Sequence, residues 1–314
     1  MKVSRTRWPA AAAMMALAVV TSASAQAPTA QPDDMIVVQG QRLSRQEALN
    51  RAQGFVRTLG VVQGDRSLAR WVAPICPKVI GLSPEHSRIV MDRLHATIMA
   101  VGAPLAKGAC DTNLLVAFVS DGKQMVNIID QKQSRRMAQV QGPDRRALLE
   151  SDAPIRWWYM IDLGSGDGAG VGSNAPPGVG GNSDTGSPMW DGIPTSQSYG
   201  SSLIRSPVIR MISAATVLID VNRAEGVSLT SVIDYAAFVG LAEVRARALP
   251  PLPSILNLFG SRAEGAEGSN HALTDWDRRF LVRLYTLPLN RLASAQRNRL
   301  VNALLDEDGP DTAD

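Results

Sequence analysis

Residues 228–248 carry the pattern around which the rest of the chain can be organised. Leu229, Val232, Ile233, Ala236, Val239, Gly240 and Val244 recur at steps of three and four, which predicts a helix with one stripe turned to a core. Both ends are marked. Ser228 suits the N-cap, Asp234 lies in the N-terminal half where negative charge suits the dipole, Arg245 and Arg247 suit the last turn, and Pro250-Pro251 stop the helix.

The same reading extends along the chain. Residues 35–39 form a short strand candidate, and 44–59 read as a helix in which Ser44 and Glu47 make a capping box. Ser83-Pro84 starts a helix that runs to about Ala100, before Gly102. Strands are expected at 71–80, at 114–119, at 155–163 and, as one or two segments, at 208–221. Pro74 and Pro77 keep the first of these broken or near an edge. Residues 124–129 read as helical or as a continuation of the preceding strand, and a further helix is expected around 145–150. Thr274 caps a helix through Tyr285, and 293–304 make a last amphipathic helix. This mixture predicts an α+β fold.

Composition changes the picture in three places. Lys2, Arg5 and Arg7 precede an apolar run at 10–20 and then Ala23-Ser24-Ala25, the layout of a signal peptide cut after Ala25. That run is too short to span a bilayer, so no transmembrane segment is expected after cleavage, and a periplasmic or secreted location follows. Losing three positive charges takes the formal +3 to 0, which removes the case for a nucleic-acid-binding surface. Eleven of the 26 glycines fall within 164–202, among Ser, Pro and Asn, so this stretch reads as an insertion between strands. The expected organisation is a signal peptide at 1–25, a leader strand and helix at 26–62, an α+β domain at 63–305 with its insertion at 164–202, and an acidic tail at 306–314.

Candidate chemistry is sparse. An exported chain meets an oxidising compartment, and its two cysteines, Cys76 and Cys110, are expected to form a disulfide rather than remain as thiols. His86 and His95 are nine residues apart on one helix and point to opposite faces, while His271 lies in a polar loop, so no metal site or other cofactor is predicted. There is no G-x-S-x-G elbow and no P-loop.

The order of strand, long helix, three strands and a helix with a central Gly resembles the zincin-like metallopeptidase domain. The likeness is to its metzincin form, whose catalytic helix reads H-E-x-x-H-x-x-G-x-x-H. With Gly240 as the Gly, Ile233 and Ala237 stand at the two His positions, Asp234 at the general base and Glu243 at the third ligand. The segment Leu273-Thr274-Asp275-Trp276-Asp277 through Leu284-Tyr285 is similar to the Leu-Ser-x-x-Asp stretch that often closes the family's domain, so the resemblance spans roughly 71–285. Zinc chemistry needs two imidazoles one helical turn apart and a carboxylate beside the bound water. Ile233 and Ala237 bind no metal, so the resemblance implies a pseudoenzyme with a degenerate site and no catalytic residue. Such a scaffold retains an edge strand beside its helix, and the expected function is to bind a peptide or protein partner in the cell envelope. Two alternatives stand beside it. One is a hydrolase or metallopeptidase with displaced site residues, for instance among Asp220, Asp234 and Glu243; the other is a structural envelope component presenting Trp157-Trp158-Tyr159.

Overall fold

The computed structural model describes residues 44–61, 64, 66–165, 206, 208–246, 248–260 and 272–305. The expected signal peptide, the strand at 35–39, His271, most of the Gly-rich insertion and the acidic tail lie outside them. Among the described residues there are five strands: β1 Ala69–Trp71, β2 Pro77–Ile80, β3 Leu114–Val119, β4 Ile155–Ser165 and β5 Val208–Asp220. The helices are α1 Arg45–Leu59, α2 Pro84–Ala100, α3 Gly122–Lys132, α4 Gly142–Glu150, α5 Leu229–Leu241, α6 Asp275–Thr286 and α7 Ala293–Leu305. Short 3-10 turns occur at Ser134–Met137 and Ile255–Asn257. The result is an α+β protein built on a mixed, mainly parallel sheet.

β5 is the axis of that sheet. β4 runs antiparallel along all of it, from Ile155 opposite Ile219 to Ser165 opposite Val208. A strand has only two edges, so its parallel partners share the other one: β1 pairs with residues 210–212 and β3 with residues 215–220. β2 lies parallel outside β3. The expected single strand at 71–80 is therefore two strands, because the chain crosses from β5's edge to β3's outer edge between Trp71 and Pro77. The segment at 208–221 is one strand with an irregularity. Met160 stands opposite Ala214 and Ile161 opposite Ile212, which leaves Ser213 as an extra residue on β5. This bulge reverses the alternation, so Ile212 faces the main core together with Ala215, Val217 and Ile219.

Helices cover both faces. Leu114, Val116 and Phe118 of β3 turn to the main core, which also holds side chains of α1, α2, α5, α6 and α7. Ala117 turns the other way, against Val126 of α3, Met137, Leu148 of α4 and Trp158 of β4. The helix at 45–59, expected to belong to a leader, places Phe55, Val56 and Leu59 in the main core, with Phe55 edge-on to Phe280 of α6. Among the described residues, no helix is long and apolar enough to cross a membrane.

Two buried polar junctions hold α3 and α4 to the sheet. Asp220, at the end of β5, accepts from the Gly122 backbone N–H at 2.8 Å and so places a carboxylate at the N-terminus of α3. Arg156 of β4 donates through Nε to Leu148 O, through Nη1 to Ala153 O and through Nη2 to Ser151 O, at 3.2, 2.7 and 2.6 Å, closing the C-terminal end of α4. The two side chains meet at Gly122, where an added Cβ would sit 2.7 Å from Arg156 Nη1. Cys76 and Cys110 are disulfide-bonded, with their Cα atoms 6.0 Å apart, and close the segment that carries β2 and α2.

Candidate functional site

α5 begins as its sequence predicts, with Ser228 Oγ accepting from the Ser231 N–H at 3.1 Å. It ends earlier than predicted. The helix stops at Leu241 and Ala242 is extended, so Arg245 lies beyond the helix rather than in its last turn. The cause is a set of donors from distant strands and helices. A helix leaves its last carbonyls unpaired, and in a core they need partners. Tyr159 Oη of β4 lies 2.7 Å from both Val239 O and Ala242 O, sharing its one hydrogen between them. Trp71 Nε1 of β1 donates to Gly240 O at 2.9 Å and Tyr285 Oη of α6 to Leu241 O at 2.7 Å. Just past the helix, Trp157 Nε1 donates to Val244 O at 2.9 Å, and the Val244 N–H donates back to Tyr159 Oη at 3.1 Å. Burial pushes the Tyr159 and Tyr285 phenols well above their ordinary range, so both remain protonated donors. These aromatic donors were missed in the sequence, where only their residue type hinted at a second, polar role.

The positions matched to a metal helix are enclosed and structurally committed. Ile233 and Ala237 are each 1% exposed and offer no donor atom, so this helix does not fit a zinc ion. Asp234 is clamped bidentately: Arg93 of α2 donates through Nε at 2.6 Å and Nη2 at 2.7 Å, and the Leu273 N–H adds a bond at 3.0 Å. The hydrogen bond to Asp234 raises the Arg93 pKa. Gly240 lies against β3, where a Cβ would meet Leu114 Cδ1 at 3.1 Å. Glu243, expected on the helix at the third-ligand position, stands after the helix end. It accepts two bonds from Arg210 of β5, at 2.7 and 2.8 Å, and a third from Arg66. The three carboxylates considered for displaced hydrolysis therefore serve three separate junctions, Asp220 with Gly122 and Arg223, Asp234 with Arg93, and Glu243 with Arg210.

Replacing Asp234 by Asn should lower stability by about 2 kcal/mol, because one oxygen of a buried bidentate pair is lost while Arg93, being partly exposed, recovers water. Urea denaturation measures this directly; a change under about 0.5 kcal/mol would show that the clamp contributes nothing net.

Histidine contributes little to this region. His86 is exposed and its Nδ1 lies 2.7 Å from Ser83 Oγ at the start of α2. His95 is half-buried one helix face away. Among the described residues, no three His, Cys, Asp or Glu side chains converge.

Among the described residues, no strand pairs with the outer edge of β4. Pro154 O accepts from the Asp220 N–H and so points toward β5. Backbone direction alternates along a strand, which turns the N–H and C=O groups of Ile155, Trp157, Tyr159, Ile161 and Leu163 outward. Gln139 shows that this edge can be read. Its amide donates to Ile161 O at 3.1 Å and accepts from the Ile161 N–H at 2.8 Å, as a neighbouring strand would. Among the described residues no strand occupies the rest of this edge. Trp157 and Trp158 are buried, one on each face of the sheet, so they belong to the core rather than to an apolar surface. Compared with known proteins, the chain matches no family model, no curated protein and no solved structure.

Proposed function

We propose that this chain is an exported zincin-like pseudoenzyme that binds an extended segment of a peptide or protein partner in the cell envelope. The observation that carries the reading is the outward backbone edge of β4, with Gln139 holding one residue of it in strand-like hydrogen bonds. The zincin-like part draws support from the strand–helix–strand start β2, α2 and β3, with α3 and α4 then intervening before β4, β5 and α5, and from a single antiparallel strand beside an otherwise parallel sheet. Export is supported by the signal-peptide pattern at 1–25 and is compatible with the Cys76–Cys110 disulfide. The absence of chemistry rests on the donor set of α5, in which hydrocarbon side chains stand where imidazoles are required.

The edge is tested by Leu163→Pro. Leu163 is 38% exposed and its N–H points outward, so proline removes a docking hydrogen bond and adds bulk while sparing the ladder to β5. An extended-peptide display library selected on the purified chain should enrich binders that lose at least about tenfold in affinity for L163P, with the melting temperature kept. Absence of enrichment, or binders indifferent to L163P, would overturn the reading. Metal analysis tests the other half, since one tightly held equivalent of zinc in the purified chain would end the pseudoenzyme assignment and send the search to displaced ligands.

A further inference from the structure

Beside the first residues of β4 lies a second feature, a cavity of about 240 Å³. Its wall is largely apolar, with Ile155, Leu249 and Leu256 on one part and the rings of Trp157, Tyr235 and Phe259 on another. The Tyr235 ring packs edge-on to Trp157 and tilted to Phe259, with 5.8 Å between centroids in both pairs. Tyr235 comes from α5, two turns before the helix end, and only 7% of it is exposed.

Among the described residues the Tyr235 hydroxyl has no hydrogen-bond partner, in contrast to Tyr159 and Tyr285, whose hydroxyls close the end of the same helix. A phenol whose hydroxyl has no protein partner gains a hydrogen bond from an oxygen taken up by the cavity. The cavity's charged neighbour is already committed. Arg156 spends all three nitrogens on the carbonyls of Leu148, Ser151 and Ala153, and Asp220 stands close enough to raise its pKa against the lowering effect of burial. An ionised ligand would lose its hydration, with no charged side chain other than Arg156 among the described wall residues to meet it. Size narrows the class further. A single benzene ring occupies a dry cavity of about 150 Å³, and drug-sized ligands take about 300 Å³ or more, so this volume suits one ring with a short substituent.

We propose that this cavity binds a small neutral aromatic molecule bearing one carbonyl or hydroxyl oxygen, which is seated among Trp157, Tyr235 and Phe259 and hydrogen-bonded to the Tyr235 hydroxyl. The site shares Ile155 and Trp157 with the β4 edge but does not use the backbone groups of that edge.

Acetophenone is the probe, titrated calorimetrically into the full chain, with benzoate as its ionised counterpart. Acetophenone should bind saturably at one site, and benzoate at least about tenfold more weakly. Tyr235→Phe keeps the ring and removes the hydroxyl, so affinity should fall about fivefold, the effect of one net hydrogen bond, with the melt unchanged. Ala246→Phe, at a half-buried position on the wall, fills the space and should abolish binding. No saturable binding, equal affinity for benzoate, or binding untouched by both substitutions would overturn the proposal.

Discussion

Asp277→Ala should destabilise the protein by about 3–4 kcal/mol, the largest loss expected from a single polar substitution here. Asp277 is 0% exposed and sits at the third position of α6, where it completes a capping box with Thr274. One carboxylate serves two segments. Oδ1 accepts from Ser254 Oγ at 2.6 Å, while Oδ2 accepts from the Ile255 N–H at 2.7 Å and the Thr274 N–H at 3.0 Å. Truncation strands three donors. Ser254 and Ile255 are themselves buried, so water replaces the oxygen poorly. Asp275 is the internal control: it lies on the exposed side of the same first turn, and D275A should change stability by no more than about 0.5–1 kcal/mol. Urea denaturation at constant slope separates the two, and a D277A loss as small as that of D275A would refute the account.

The same group sets a pH dependence. Burial pushes the Asp277 carboxyl above its ordinary value, and the hydrogen bonds from Ser254, Ile255 and Thr274 oppose the rise without cancelling it. A carboxyl raised by folding contributes most below its unfolded pKa and loses that contribution as pH climbs through the folded one. The deficit of D277A relative to the native chain should therefore widen on going from about pH 7 to about pH 4.

Removing the disulfide is the second large effect. Cys76 and Cys110 are 34 residues apart in sequence, and a loop of that length closed in the unfolded chain corresponds to about 3–4 kcal/mol in the chain-entropy model. The closed loop contains β2 and α2, and α2 carries the Arg93 that holds Asp234. Native contacts reinforce the closure. Asn113 Oδ1 accepts from the Cys76 N–H at 2.7 Å, and Cys76 O accepts from the Leu114 N–H at 3.3 Å. The double variant Cys76→Ala with Cys110→Ala should unfold at correspondingly lower urea, with a steeper slope if the freed chain exposes more surface when unfolded. An unchanged midpoint would mean that the unfolded segment is as constrained without the bridge as with it.

The two ends of α5 differ in how far local sequence determines them. Its start was legible because Ser228 and the Ser231 N–H are three residues apart, and the same holds for Ser44 with Glu47, Ser83 with His86, and Thr274 with Asp277. The stretch that resembles the zincin-like closing segment, Leu273 to Asp277, has a local explanation of this kind, since its Thr and Asp form a capping box. The helix end was not legible. Nothing between 241 and 248 forbids a helix, and the carbonyls that terminate it are claimed by Trp71, Tyr159 and Tyr285, which are between 44 and 169 residues away. Misplacing that end put Glu243 on the helix and hid its bidentate contact with Arg210.

By itself, the sequence determined features that depend on short windows: the starts of the Ser- and Thr-capped helices, the strands at 114–119, 155–163 and 208–221, the mixed α+β class, and a disulfide from the only two cysteines in the chain. Tertiary structure alone decided the rest. It made β5 the axis shared by β1, β3 and β4, placed the bulge at Ser213, clamped Asp234 to Arg93, and set Tyr235 against a cavity. The physical reason is range. A cap or an alternation is settled by groups that the local backbone already holds within a few ångströms, whereas these junctions join residues far apart in the chain and exist only after loop closure and packing have brought them together.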